Sequence, residues 1–154
     1  MTVMGSLSAA ASLQLPVSLH GIRLGRPIDL LLDVDTWHAV GFVVLCGDGL
    51  QRFLPYAASQ TSEWEIAVGS ALMLLEDVTF YAKRGVSYRS LLGREVEREG
   101  RPAGVLRDLH LAQGGTVAEV ELERGGARRR VPAVGSTVET TRTSAAELSY
   151  PRWK

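Results

Sequence analysis

Asp29, Asp33 and Asp35 stand at odd spacing between Ile28, Leu30, Leu32 and Val34, so a strand would carry all three carboxylates on one face. A hard cation such as Ca²⁺ or Mg²⁺ takes oxygen ligands that converge from several directions. One extended strand instead spreads such groups about 7 Å apart for every two residues. A solvated outer face therefore accounts for the three aspartates. His20, His38 and His110 pair at no metal-ligand spacing, no Ser, His and acid arrangement is legible, and loop or surface positions are expected for all three. Cys46 is the one cysteine, which excludes an internal disulfide and a thiolate cluster; its place in the apolar run 41–46 predicts a buried, inert thiol. No phosphate loop and no glycine-rich dinucleotide fingerprint is present. No catalytic residue emerges, no metal or cofactor is expected, and the chain reads as non-enzymatic.

Binding is the better prospect. Trp37 falls in an expected turn at residues 35–39, where a large aromatic is unusual, and Trp64 precedes an alternating segment. Exposed aromatics anchor interfaces, although a Trp37 that caps the open end of a barrel fits the same pattern. Arg124, Arg128, Arg129 and Arg130 form a basic run, but Glu119, Glu121 and Glu123 lie opposite and cancel much of its field. Trp37, Trp64, Arg128 and Arg130 are the candidate partner contacts, and RNA is the less favoured partner.

The elements that would position these residues are strands. Ala118, Val120 and Leu122 alternate with Glu119, Glu121 and Glu123, Gly125-Gly126 supplies a two-residue turn, and residues 128–131 return. That register sets Glu123 opposite Arg128 and Glu121 opposite Arg130. It also sets Arg129 opposite Leu122, so either the arginine stem packs and its head escapes or a bulge shifts the ladder. Residues 40–45 are almost all apolar, as in a strand buried on both faces, and Asp48-Gly49 marks a tight turn. Trp64, Ile66 and Val68 alternate with polar neighbours, and residues 71–75 are read as strand leading into a connector. Many short strands with Gly and Asp turns predict an all-β chain of barrel or sandwich type.

The second half also restates the first. Ser18-Leu19-His20-Gly21 returns as Ser90-Leu91-Leu92-Gly93, Gly25-Arg26-Pro27 as Gly100-Arg101-Pro102, Asp33 as Asp108 and Leu54-Pro55 as Val131-Pro132. Four blocks in one order predict two copies of a small module. The expected division is a mobile leader at 1–16, a first module at 17–78, a connector at 79–89, a second module at 90–142 and a flexible tail at 143–154. Modules this small bury little surface alone, so they are expected to pack on each other or on a partner.

Leu91-Leu92-Gly93-Arg94-Glu95-Val96, the run from Gly100-Arg101-Pro102 to Asp108-Leu109, Gly115-Thr116-Val117 and the Val131-Pro132 step together resemble the PRC-barrel family. That family is a small β-barrel found in the photosynthetic reaction-centre H subunit and in a bacterial ribosome maturation factor. The first half is carried along by the internal repeat. The resemblance implies two tandem small barrels acting as a docking or scaffolding module, with no catalytic residue to transfer.

The chain has 154 residues, 45% hydrophobic and 22% charged, with no net charge. Residues 1–75 carry −3 and residues 76–154 carry +3, so the two halves could attract each other. The neutral balance argues against nonspecific nucleic-acid binding. No apolar run reaches transmembrane length, and the first 16 residues lack the basic start of a secretory signal. The expectation is a cytoplasmic adaptor that binds another protein or a second copy of itself. The alternative is a small-subunit ribosome-assembly factor that binds a ribosomal protein and RNA.

Overall fold

The computed structural model of the chain describes residues 7–140. It is mostly β, as the alternating text predicts. Strand β1 (Leu7–Ser8) runs into helix α1 (Ala9–Ser12). Then β2 (Val17–Leu19), β3 (Ile22–Asp33), β4 (His38–Cys46) and β5 (Gln51–Pro55) form an antiparallel meander. Strands β6 (Ser59–Thr61) and β7 (Ile66–Val68) return so that β7 lies parallel to β2. Helix α2 (Val78–Ala82), strand β8 (Val86–Ser87) and helix α3 (Tyr88–Leu91) lead to a second meander of β9 (Glu95–Arg98), β10 (Arg101–Leu111), β11 (Val117–Arg124) and β12 (Ala127–Pro132), closed by β13 (Ser136–Val138). The first sheet has the order β5-β4-β3-β2-β7-β6 with β8 on β3; the second has β12-β11-β10-β9-β13 with β1 on β10.

Both sheets curl for the same reason. Strand β3 pairs with β4 along one edge, while its other edge is shared by β2 at the start and β8 at the end. A strand that serves two neighbours on one edge must bend, and the register shift between Pro27 and Asp29 supplies the bend. Strand β10 repeats this with β9, β1 and β11, and its shift falls between Leu106 and Asp108.

The docking of the short segments is reciprocal. The arm before the first meander, β1 and α1, lies on the second sheet, and the arm before the second meander, β8 and α3, lies on the first. Matching features recur 79 residues apart. Ser8 and Ser87 cap α1 and α3 by accepting N–H groups. His20-Gly21 and Glu99-Gly100 are positive-φ hairpin turns. Asp29 and Asp108 each follow a bulge and accept the next residue's N–H. The structure thus corrects the pairing read from the text: Asp108 corresponds to Asp29 and not to Asp33, and Gly100 to Gly21 and not to Gly25. The Gly-Arg-Pro likeness joins a glycine inside a strand to a glycine in a turn.

Gly25 instead corresponds to Gly104, and at both sites a neighbouring strand passes too close for a side chain. A Cβ on Gly104, which holds φ +138°, would lie 2.9 Å from the Glu123 carbonyl oxygen. Gly104→Ala is expected to cost about 1–3 kcal/mol by overpacking, read from the denaturant midpoint at unchanged m-value.

The two sheets share one apolar core. Leu30, Leu32, Phe42 and Leu54 of the first and Leu106, Leu109, Val120 and Leu122 of the second belong to a single buried cluster. Leu31 and Val43 point the other way, into a smaller cluster with Phe53 and Ala82 of α2, where the Tyr81 ring stacks on Phe53 at 4.7 Å. This explains the continuous apolar run of β4, which is buried on both faces. Gly125-Gly126 forms the expected turn, with Glu121 opposite Arg130 and Glu123 opposite Arg128. Arg129 stays opposite Leu122 without a bulge and sends its guanidinium to the Ala103 carbonyl at 3.2 Å.

Three expectations are corrected. Residues 7–16 include a paired strand and the buried Ala9 and Ser12, because the arm completes the edge of β10. Residues 71–73 form a 3-10 turn rather than strand, with Leu75 alone bridging to Phe53. The connector holds most of α2, whose Tyr81 and Ala82 pack on Leu31, Val43 and Phe53 of the first sheet, then β8 and the first half of α3. The expected tail at 143–154 lies outside the described residues. Among the described residues, no helix is long and apolar enough to cross a membrane.

Candidate functional site

Trp37 is not a surface contact. It is 5% exposed, sits at φ +53° and donates its Nε1–H to the Ser136 carbonyl at 3.0 Å, while its own carbonyl accepts from Val117 N–H at 2.8 Å. The turn that carries it is shaped by Asp33, whose Oδ1 accepts the N–H groups of Asp35 and Thr36 at 2.9 and 3.2 Å. Trp37 thus ties the first sheet to the second. Trp64, by contrast, is 77% exposed in the bend before β7.

The three aspartates of the first half do not form a cluster. Asp33 serves its turn, and Asp29 is fully buried rather than solvated. Its Oδ1 accepts Leu30 N–H at 2.9 Å and Arg89 N–H at 3.2 Å, and its Oδ2 accepts the Ser87 hydroxyl. It locks the β8-α3 arm onto β3. Asp108 does the same for the other arm: its Oδ1 accepts Leu109 N–H at 2.7 Å, the Tyr88 hydroxyl at 2.9 Å and Ala10 N–H at 3.2 Å.

The outer faces of the two sheets then diverge. Beside Asp29 the first sheet places Leu31 and, across the ladder, Val43 under α2. Beside Asp108 the second places His110 and, directly opposite Asp108, Glu121. His110 is 4% exposed, which overturns the expectation of three loop or surface histidines. Its Nε2 lies 3.4 Å from Glu121 Oε1. Arg128 donates to Glu121 Oε2 at 3.2 Å and Arg130 stands 3.8 Å from Oε1, so both predicted arginines converge on one glutamate, while Glu123 takes Arg107 at 2.5 Å. Asp108, His110 and Glu121 are the group of metal-type side chains found among the described residues, with donor atoms within 4.8 Å of one another. Linear text hides them because His110 and Glu121 meet only through the β10-β11 register. The Asp-x-His spacing on one strand face was the available signal.

Tyr88 stands over this cluster. Burial is the main force that pushes its phenol above the ordinary value of 10, and the Asp108 charge adds to it. A raised folded value means that the neutral phenol contributes fully below pH 10 and that this contribution is lost as pH rises through the folded value. Stability is therefore expected to fall above pH 10 with an extra slope in the parent protein that Tyr88→Phe lacks. Denaturant midpoints between pH 9 and 11.5 check this.

A second feature lies on the first sheet. Leu24, Cys46, Leu72, Leu74 and Leu75 line a groove of about 690 Å³ with Arg52 at its rim. Leu72 is 85% exposed, Met73 beside it 42%, and Ile22, two residues before Leu24 on β3, 67%. Arg52 is held by Asp48 through two hydrogen bonds of 3.0 and 2.7 Å, and this pairing brings the Asp48 carboxyl down to about 2. Cys46 is buried, as expected.

The predicted site residues are thus divided: Trp37 is internal, Trp64 is exposed, and Arg128 and Arg130 belong to the Glu121 cluster. In comparisons with known proteins, no family model matches the chain and no curated protein is similar to it.

Proposed function

We propose that this protein is a non-enzymatic adaptor, built of two PRC-barrel-like modules, that binds a protein partner or a second copy of itself. The observation that carries the reading is the first-sheet groove lined by Leu24, Leu72, Leu74 and Leu75, with Leu72 85% exposed, exposed Met73 next to it in sequence and exposed Ile22 two residues before Leu24. Apolar side chains gathered in this way mark interaction surfaces. The 79-residue correspondences support the two-module reading. The contact is transferred from Trp37 to this surface, and Trp64 is retained as a partner contact on the strength of its exposure alone.

The reading is tested by affinity purification of the tagged protein from its native cell at low and high salt, beside the Leu72→Ser/Met73→Ser variant. A single non-ribosomal protein, or a second copy, retained at high salt by the parent and lost by the variant is the expected result. Equal retention by both proteins overturns the surface assignment. Ribosomal proteins that wash off with salt would instead favour the assembly-factor alternative, since contacts to phosphates weaken as salt rises.

A further inference from the structure

We propose that Asp108, His110 and Glu121 form a binding site for one divalent transition-metal ion of the zinc type. Two ligands at i and i+2 on β10 and a third directly opposite on β11 converge on one face of the sheet, and their donor atoms lie within 4.8 Å of one another. The 3.4 Å between His110 Nε2 and Glu121 Oε1 matches the edge of a tetrahedron with metal–ligand bonds of about 2.0–2.1 Å. It is also longer than the usual hydrogen bond, so the direct contact between the two side chains is a weak one. Asp108, within 4.8 Å of the other two, would have to close in to complete the triangle.

The surrounding groups are arranged as supports for such ligands. On Asp108, Oδ1 receives all three protein donors and Oδ2 is left for an ion. On Glu121, Oε2 takes Arg128, while Oε1 faces His110 at 3.4 Å with the Arg130 Nε farther off at 3.8 Å. Ligating carboxylates are commonly oriented in this way by a bond to the other oxygen. Arg128 and Arg130 have side chains 60% and 52% exposed, so solvent screens their charges. One imidazole with two carboxylates suits Zn²⁺, Co²⁺ or Mn²⁺ better than an all-oxygen Ca²⁺ or Mg²⁺ site, and three protein ligands leave a fourth position open. The first sheet supplies an internal control: the same scaffold around Asp29 carries Leu31 and Val43, which cannot ligate.

The test is a titration of the tag-free, metal-stripped full-length protein with ZnCl₂ by calorimetry and with CoCl₂ by visible absorption. Expected are one saturable site with a Kd of about 10 μM or tighter and the intense visible bands of four-coordinate Co²⁺. His110→Leu and Glu121→Val copy the residues of the first sheet and so are expected to fold, as circular dichroism would check; each should weaken binding at least tenfold. Asp29→Asn should leave it unchanged. Absence of saturable binding, binding of Mg²⁺ or Ca²⁺ alone, or equal affinity in the folded His110→Leu and Glu121→Val variants would overturn the proposal.

Discussion

Trp37→Ala should lower the unfolding free energy by about 3–5 kcal/mol, the range for removing a buried large aromatic. The indole is almost wholly enclosed, and its loss opens a cavity where the two sheets meet. It also leaves the Ser136 carbonyl without the Nε1–H donor. The replacement has a further cost, because alanine at φ +53° keeps the backbone strain without the packing that holds it there. Trp37→Phe separates these effects: it restores most of the volume but not the hydrogen bond, and about 1–2 kcal/mol should remain lost. Urea unfolding followed by far-ultraviolet circular dichroism reads both. A Trp37→Ala variant within 1 kcal/mol of the parent would mean that the indole does not join the sheets.

Asp29→Ala should be nearly as damaging, at about 3 kcal/mol or more, since it strands the Ser87 hydroxyl and the Leu30 and Arg89 N–H groups in a buried place. The loss should also be local. The β8-α3 arm is held on β3 through this carboxylate, so amides of residues 86–91 should exchange with solvent faster than those of β10 and β11. Asp108→Ala offers the mirror case, loosening residues 7–12 instead. Native-state hydrogen exchange on the two variants distinguishes a reciprocal pair of arms from two unrelated buried aspartates.

Much of the fold was legible in residue order because it rests on local rules. The Gly125-Gly126 turn, the β11-β12 register and the doubly buried β4 follow from alternation and turn chemistry alone. What was lost depended on long-range pairing. Trp37 looked exposed because its turn is polar, whereas its burial comes from β13, about a hundred residues later. Asp29 looked solvated by its spacing, but the bulge before it and the arriving Ser87 enclose it. The alignment of Gly25 with Gly100 compared letters rather than backbone roles. At the candidate cluster, Glu121 opposite Arg130 was readable, but His110 beside them required the β10 register, and the bulge at Arg107 shifts that register by one. The small-residue leader was read as mobile because its partner edge on β10 is also remote in sequence.

Two sheets, one shared core and two exchanged arms make a single cooperative body. Differential scanning calorimetry of the full chain tests it most directly. One transition is expected, with a calorimetric enthalpy equal to the van't Hoff enthalpy, moved as a whole to lower temperature by Trp37→Ala, Asp29→Ala or Asp108→Ala. Two separable transitions, with Asp29→Ala shifting one and Asp108→Ala the other, would contradict it and mean that each sheet folds on its own.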